Sequence, residues 1–368
     1  MIRTLDDARQ FLDTAALGDK AERVLAFLLP CLMFTPGTAG TDQIGGTRIG
    51  GVPDLPPGLD WPVRPVPPDA SGIAARGGSN HSGWIARHIT VPLPYEFIAQ
   101  IDLAEAARFP EVGGLPSRGR LLFFYDGAVG PWGDPQSAGR VVYDASPVTA
   151  LSPSPVPHAL ATLAAAERAE HEQKLADPME MAKSFLPAQL AIITGSLTPG
   201  TTLEDHFRKI AEGMTFSSRY LHPSQPMRLD RALQWPDHHS LEAAVSPDLA
   251  ALLEDPAVLS LMDPSRHEWR PVNSRHILMG IPVPEQDDAR YDAAFIANPG
   301  LQKRLNADRE AVMPEVEAMA AEWRLLLQID QSSLMADRFC EGTIYFVIPS
   351  DDLAARDFSR VLTICQQT

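Results

Sequence analysis

The chain has 368 residues, 45% of them hydrophobic, and carries 47 acidic against 31 basic side chains, a net charge of −16. That length admits two ordinary domains or one large one, with ample apolar material for a core. The negative balance argues against a nucleic-acid binder, which needs a basic footprint to displace counterions, and against adhesion to an anionic membrane surface; it suits a basic protein partner.

In chain order, Thr4-Leu-Asp-Asp7 has the form of a capping box, and Leu5, Ala8, Phe11 and Leu12 follow at helical spacing. A second helix is predicted over 20–29, ending at Pro30. The apolar stretch 24–34 is too short to span a bilayer and is broken by Pro30. Arg48 to Val52 reads as a strand entering a Gly-Gly turn, and 53–84, rich in Pro, Gly and Ser, reads as irregular. Residues 97–103, 120–125 and 140–143 read as strands. The segment Ala150-Leu-Ser-Pro-Ser-Pro-Val-Pro157 reads as an extended connector. Beyond it helices are expected over 158–175, after Thr202, after Ser246-Pro247, through Val312, Val316 and Trp323, and after Asp351.

Three blocks recur in the same order. Ile49-Gly-Gly-Val-Pro53 echoes Leu278-Met-Gly-Ile-Pro282, Phe97-Ile-Ala-Gln-Ile-Asp102 echoes Leu325-Leu-Leu-Gln-Ile-Asp330, and Gly119-Arg-Leu-Leu-Phe-Phe124 echoes Gly342-Thr-Ile-Tyr-Phe-Val347, at offsets of 229, 228 and 223 residues. The fold class expected is α+β: a duplicated, mostly antiparallel β core, roll or barrel-like, with pseudo-twofold halves and helical insertions. The expected division is 1–150 for the N-terminal helices and first β half, 151–270 for a helix-rich insertion, and 271–368 for a second β half packing on the first.

The cysteines, Cys31, Cys340 and Cys365, are odd in number and lack a C-x-x-C spacing. They read as reduced thiols, and the acidic opening Met-Ile-Arg-Thr-Leu-Asp-Asp is unlike a signal peptide, so a cytoplasmic protein is expected.

Together the blocks resemble the YwqG-like family, named for a bacterial protein of unknown function. The resemblance rests on Gly50-Gly-Val-Pro-Asp-Leu-Pro56 with Trp61-Pro62, on Phe97-Ile-Ala-Gln-Ile-Asp-Leu103, on Leu115-Pro-Ser-Arg-Gly-Arg-Leu-Leu-Phe-Phe-Tyr125, and on the counterparts around Gly280, Gln286, Trp323, Gln328-Ile-Asp330, Tyr345-Phe346, Asp352 and Asp357-Phe358. It covers roughly 45–145 and 275–365 and implies a pseudo-symmetric β roll or barrel, but no activity. The family's Trp-Gly-Asp-x-Gly segment is reduced here to Gly342 after Asp337-Arg-Phe-Cys-Glu, and the loop over 63–92 is longer than the family's usual one.

The candidates for chemistry are the two Gln-x-Asp pairs. Residues two apart on a strand share a face, so Gln100 projects with Asp102, and Gln328 with Asp330. Asp102 and Asp330 facing one cleft would suit general acid–base hydrolysis. The bland reading is that each Gln bonds the backbone of a neighbouring loop, such as the Gly-Gly-x-Pro turn, and each Asp caps a turn. Trp61, Trp84, Tyr95 and Trp132 lie in or beside Pro/Gly-rich loops and, with Gln100 and Gln328, are candidate binding residues; the alternative is that the aromatics cover the open end of the β core. Asp237-His-His239, His222, His267 and His276 show neither His-x-His nor His-x-x-x-His spacing, so no metal is expected. The glycines of 45–51 lack the Gly-Lys-Ser/Thr of a P-loop and the Gly-x-Gly-x-x-Gly of a dinucleotide site, and no cofactor is expected. The expected function is non-enzymatic protein binding, of an immunity or regulatory type, through an acidic surface and the loops 53–95 and 126–138. The alternative is a small-molecule hydrolase with its carboxylates in a cleft between the halves.

Overall fold

The computed structural model describes every residue except 1, 16, 38–41, 77, 131–132, 178, 183–186, 214–215, 217, 263–275, 332–341 and 368. Its strands are β1 (Leu29–Pro36), β2 (Arg48–Ile49), β3 (Asp54–Leu55), β4 (Val63–Arg64), β5 (Leu93–Pro94), β6 (Glu96–Asp102), β7 (Arg120–Tyr125), β8 (Gly139–Asp144), β9 (Ser152–Pro153), β10 (Gln225–Gln234), β11 (Ile277–Leu278), β12 (Trp323–Asp330), β13 (Thr343–Pro349) and β14 (Leu362–Gln366). Ten of them form one antiparallel sheet in the order β14-β13-β12-β11-β1-β10-β2-β6-β7-β8.

That order reads alike from either end. β1 and β10 lie at the centre, paired from Leu29↔Gln234 to Pro36↔Met227, and each passes to a two-residue strand and then to three longer ones. The strands that carry the sequence echo hold matching places on the two sides. The ladder irregularities match too: the β6–β7 register shifts between Phe97 and Ala99, and the β12–β13 register between Leu325 and Leu327. Ile98 and Leu326 are thus the extra residues of two bulges, and both are fully buried in one cluster.

The sheet curls until its outer strands meet. A Cβ placed on Gly139 of β8 would collide with Thr363 Oγ1 of β14, so the approach is one that glycine alone allows. The result is an α+β protein with a nearly closed, barrel-like β core. Its interior holds Phe34, Ile98, Phe123, Leu229, Leu326 and Phe346. The outer face of the second side is covered by the helix Ala289–Ala297, which seats Ala289 and Ala293 against Leu325, Tyr345 and Val347. Burial on both faces is why β7 and β13 read as continuous apolar runs instead of alternating.

The helix Leu5–Thr14 carries the expected box, with Thr4 Oγ1 accepting from the Asp7 amide and the Asp7 carboxylate accepting from the Thr4 amide. Ser246 caps Pro247–Leu253, and helices occupy Arg309–Ala320 and Ser350–Ala355, though the former stops short of Trp323, which was read as helical and instead opens β12. Three elements differ from the sequence reading. Residues 29–36 form a strand whose Pro30 lies where β1 has β10 as its partner but not β11, so its missing N–H costs little. The stretch read as a helix-rich insertion also supplies β10. Residues within 53–84 are helical at Ala70–Arg76 and from Gly78 onward to Ile89, because Ile73, Ile85 and Ile89 bury against Val129, Leu160 and Tyr220. Among the described residues no helix is long and apolar enough to cross a membrane.

Candidate functional site

Both glutamines of the Gln-x-Asp pairs are fully buried and reach across to the turn that follows the short strand beside them. Gln100 Oε1 accepts from the Asp54 amide at 3.0 Å, while its Nε2 donates to the Gly46 carbonyl at 2.9 Å and to Asp54 Oδ2 at 3.0 Å. Gln328 Oε1 accepts from the Val283 amide at 2.8 Å, and its Nε2 donates to the Val283 carbonyl at 3.4 Å. Each amide therefore pins the residue directly after Gly-x-Pro. The turns need this clamp because their backbone is unusual: φ is +69° and +75° at Gly50 and Gly51, and +61° and +90° at Met279 and Gly280.

The aspartates two residues on are held similarly by their backbones. The Asp102 amide donates to Thr47 Oγ1 at 3.1 Å, and the Asp330 amide to His276 Nδ1 at 3.2 Å. His276 is thus a neutral acceptor; burial pulls its pKa down to about 4, and the Asp330 carboxylate only partly restores it. The Asp102 carboxylate caps the short helix Leu103–Ala106 through the Ala104 amide at 2.9 Å. Asp102 also lines a cavity of about 610 Å³ with Thr47, Glu105, Arg108 and Arg228, whose lining comes from residues 37–108 and 226–228 and does not include Asp330.

Of the candidate aromatics, Trp61 packs edge-on to Phe97 and Phe124 and donates its Nε1 to the Tyr95 carbonyl at 2.8 Å. Tyr95 is buried, its hydroxyl donates to the Ser137 carbonyl at 2.7 Å, and it lines a cavity of about 410 Å³ with Pro62, Arg140 and Phe358. Trp84 lies in the helix Gly78–Ile89. Trp132, Cys340, His267 and the 337–341 stretch lie outside the described residues.

The two sides differ in charge where their backbones agree. On the first, Arg48 pairs with the buried Asp54, and Arg120 Nη1 with Asp144 Oδ2 at 2.5 Å. The corresponding places on the second hold Ile277 and Val283, and Thr343 opposite Gln366. A further buried group belongs to the first side alone. Arg64 Nε lies 2.6 Å from Asp126 Oδ2, and His222 Nε2 lies 3.7 Å from Glu96 Oε2. Burial pushes Glu96 up to about 7, with His222 drawing it back, and pushes Asp126 up to about 6 against the pull of Arg64. Glu96 Oε1, the Tyr220 hydroxyl and both His222 ring nitrogens lack a hydrogen-bond partner among the described residues. Of these residues the sequence reading named only His222, as a possible metal ligand; the available signal for the acids was Glu96 opening the apolar run of β6 and Asp126 closing that of β7 after Phe-Phe-Tyr125.

The seam between the outer strands encloses a cavity of about 440 Å³. The loop after β7 supplies Gly130, Gly133 and Pro135; β14 supplies Thr363, Ile364, Cys365 and Gln366; Asp292, Phe295 and Ile296 come from the covering helix. Gln366 Nε2 donates to Asp292 Oδ2 at 3.1 Å, and burial raises the Asp292 pKa, with Asp287 and Asp288 adding to the effect. Burial lifts the Cys365 thiol to about 11, so it is protonated at neutral pH. Among the described residues no group of three or more His, Cys, Asp or Glu side chains is placed to hold a metal ion.

Fold and site together define an α+β protein built on a mirrored ten-stranded antiparallel sheet, with a cavity where the sheet's edges meet. The chain belongs to the DUF1963 family, a domain of unknown function, whose family model matches residues 47–366 and so takes in β2 through β14. No curated protein matches the chain.

Proposed function

We propose that this protein is a non-enzymatic binding module, a YwqG-like member of its family in the bacterial cytoplasm, that holds a basic protein partner. The observation that carries the reading is the use of the motif side chains. Gln100 and Gln328 are spent on the backbone of the Gly-x-Pro turns, and Asp102 on a helix cap, which leaves them to organise the scaffold. The net charge of −16 favours a basic protein as partner over nucleic acid or an anionic membrane. The loop 126–138, expected from sequence to contribute to recognition, supplies part of the seam cavity.

Hydrolysis by paired carboxylates draws less support, since the cavity beside Asp102 takes its lining from residues that do not include Asp330. The test is affinity capture from lysate of the source cell at low and at physiological salt. A stoichiometric basic protein that is retained at low salt and leaves as salt rises is the expected result. An empty capture at both salts overturns the reading.

A further inference from the structure

The cavity at the seam has the attributes of a ligand site. Its volume, about 440 Å³, falls within the ordinary range for small-molecule pockets. It draws lining from both outer regions of the sheet, so it exists because the barrel closes. Its apolar lining includes Ala138, Phe295, Ile296 and Ile364. Its polar side chains include Asp292, the one carboxylate among the described lining residues, with Gln286, Gln302 and Gln366.

Two features select the ligand's chemistry. No Lys, Arg or His stands among the described lining residues, so a phosphate or carboxylate would enter beside Asp292 with no counter-charge. A cation meets the opposite condition, gaining the Asp292 carboxylate.

We propose that the seam cavity binds an alkylammonium group, its methylenes against Phe295 and Ile296 and its charge on Asp292. This rests on the reading of the protein as a binder of basic partners and names the contact such a partner would make. The same chemistry is offered by a lysine side chain of a protein and by a free diamine.

The test is calorimetric titration of the full chain with an end-capped peptide carrying one lysine, the same peptide with that lysine acetylated, and a free alkyl diamine. The unmodified peptide is expected to bind and the acetylated one not to. Asp292→Asn is expected to weaken binding by at least about tenfold, the worth of a charge-assisted hydrogen bond. Binding of the diamine as tightly as the peptide assigns the site to a free amine; preference for the peptide assigns it to a protein's lysine. Equal binding of both peptides, equal binding by wild type and Asp292→Asn, or no binding to wild type overturns the seam site. The basic-partner reading is judged separately by the capture experiment, which a surface away from the seam would still satisfy.

Discussion

Phe123 and Phe346 meet edge to face inside the barrel, their ring centroids 5.1 Å apart and their planes at 71°. They occupy the same position in the two echoing strands β7 and β13, so the sequence echo closes on itself at the centre of the core. Both rings are fully buried. Phe123→Ala is expected to cost about 3–5 kcal/mol, with a coupling to Phe346→Ala of about 0.5–1.5 kcal/mol in a double-mutant cycle of urea unfolding. Strictly additive losses would mean that the rings do not support one another.

The two glutamine clamps are alike in place and unequal in reach. Gln328→Leu strands the Val283 amide, but the Val283 carbonyl keeps its bond from the Tyr345 hydroxyl at 2.8 Å. The expected loss is about 1–3 kcal/mol. Gln100→Leu strands the Asp54 amide and the Gly46 carbonyl and removes a donor from the Asp54 carboxylate. It is expected to be the more costly of the two; equal denaturation midpoints would refute the clamp as the source of the difference.

Gly50 lies where the chain approaches the segment before β10. A Cβ there would collide with the Pro223 carbonyl oxygen, and φ is +69°. Gly50→Ala is expected to destabilise by more than the roughly 1–2 kcal/mol of left-handed strain alone, since backbone must move as well. Gly58, with φ +85° and open space around it, is the control: Gly58→Ala carries the conformational cost without the clash. Equal losses at the two positions would show that the Pro223 contact is unimportant.

Buried Glu96 and His276 give opposing pH dependences. With Glu96 raised to about 7, the folded state holds a proton between the ordinary carboxyl value of 4.5 and about 7 that the unfolded chain has lost, so this contribution to stability falls as pH rises through that window. With His276 lowered to about 4 from 6.5, the unfolded chain holds the extra proton between those values, and this contribution rises with pH. Glu96→Gln is therefore expected to gain melting temperature relative to wild type as pH climbs from about 5 to about 8. His276→Thr, which copies the Thr47 of the other side, is expected to gain relative to wild type as pH falls below about 6. A Glu96→Gln difference that stays flat across pH would show that Glu96 titrates alike folded and unfolded.

The sequence by itself determined the α+β class and the matched blocks, and offered, as one of two readings, the bonding of each Gln to the backbone of a neighbouring loop, because these rest on local patterns: strand periodicity, turn glycines, and a buried amide's need for backbone partners. The capping of a helix by Asp102 was legible for the same reason, as an aspartate closing a strand. Only the tertiary structure decided that β1 and β10 form the centre of the sheet and that Gly139 meets Thr363 at its seam. These are pairings between residues about two hundred positions apart, and their specificity lies in shape and register, which leave no motif in one chain. The same holds for Glu96 with His222 and for the seam cavity around Asp292, whose members come from separate segments and acquire their chemistry from burial. A carboxylate read in sequence has its ordinary pKa; what surrounds it in three dimensions decides whether it ends as a surface charge, a helix cap or a buried acid.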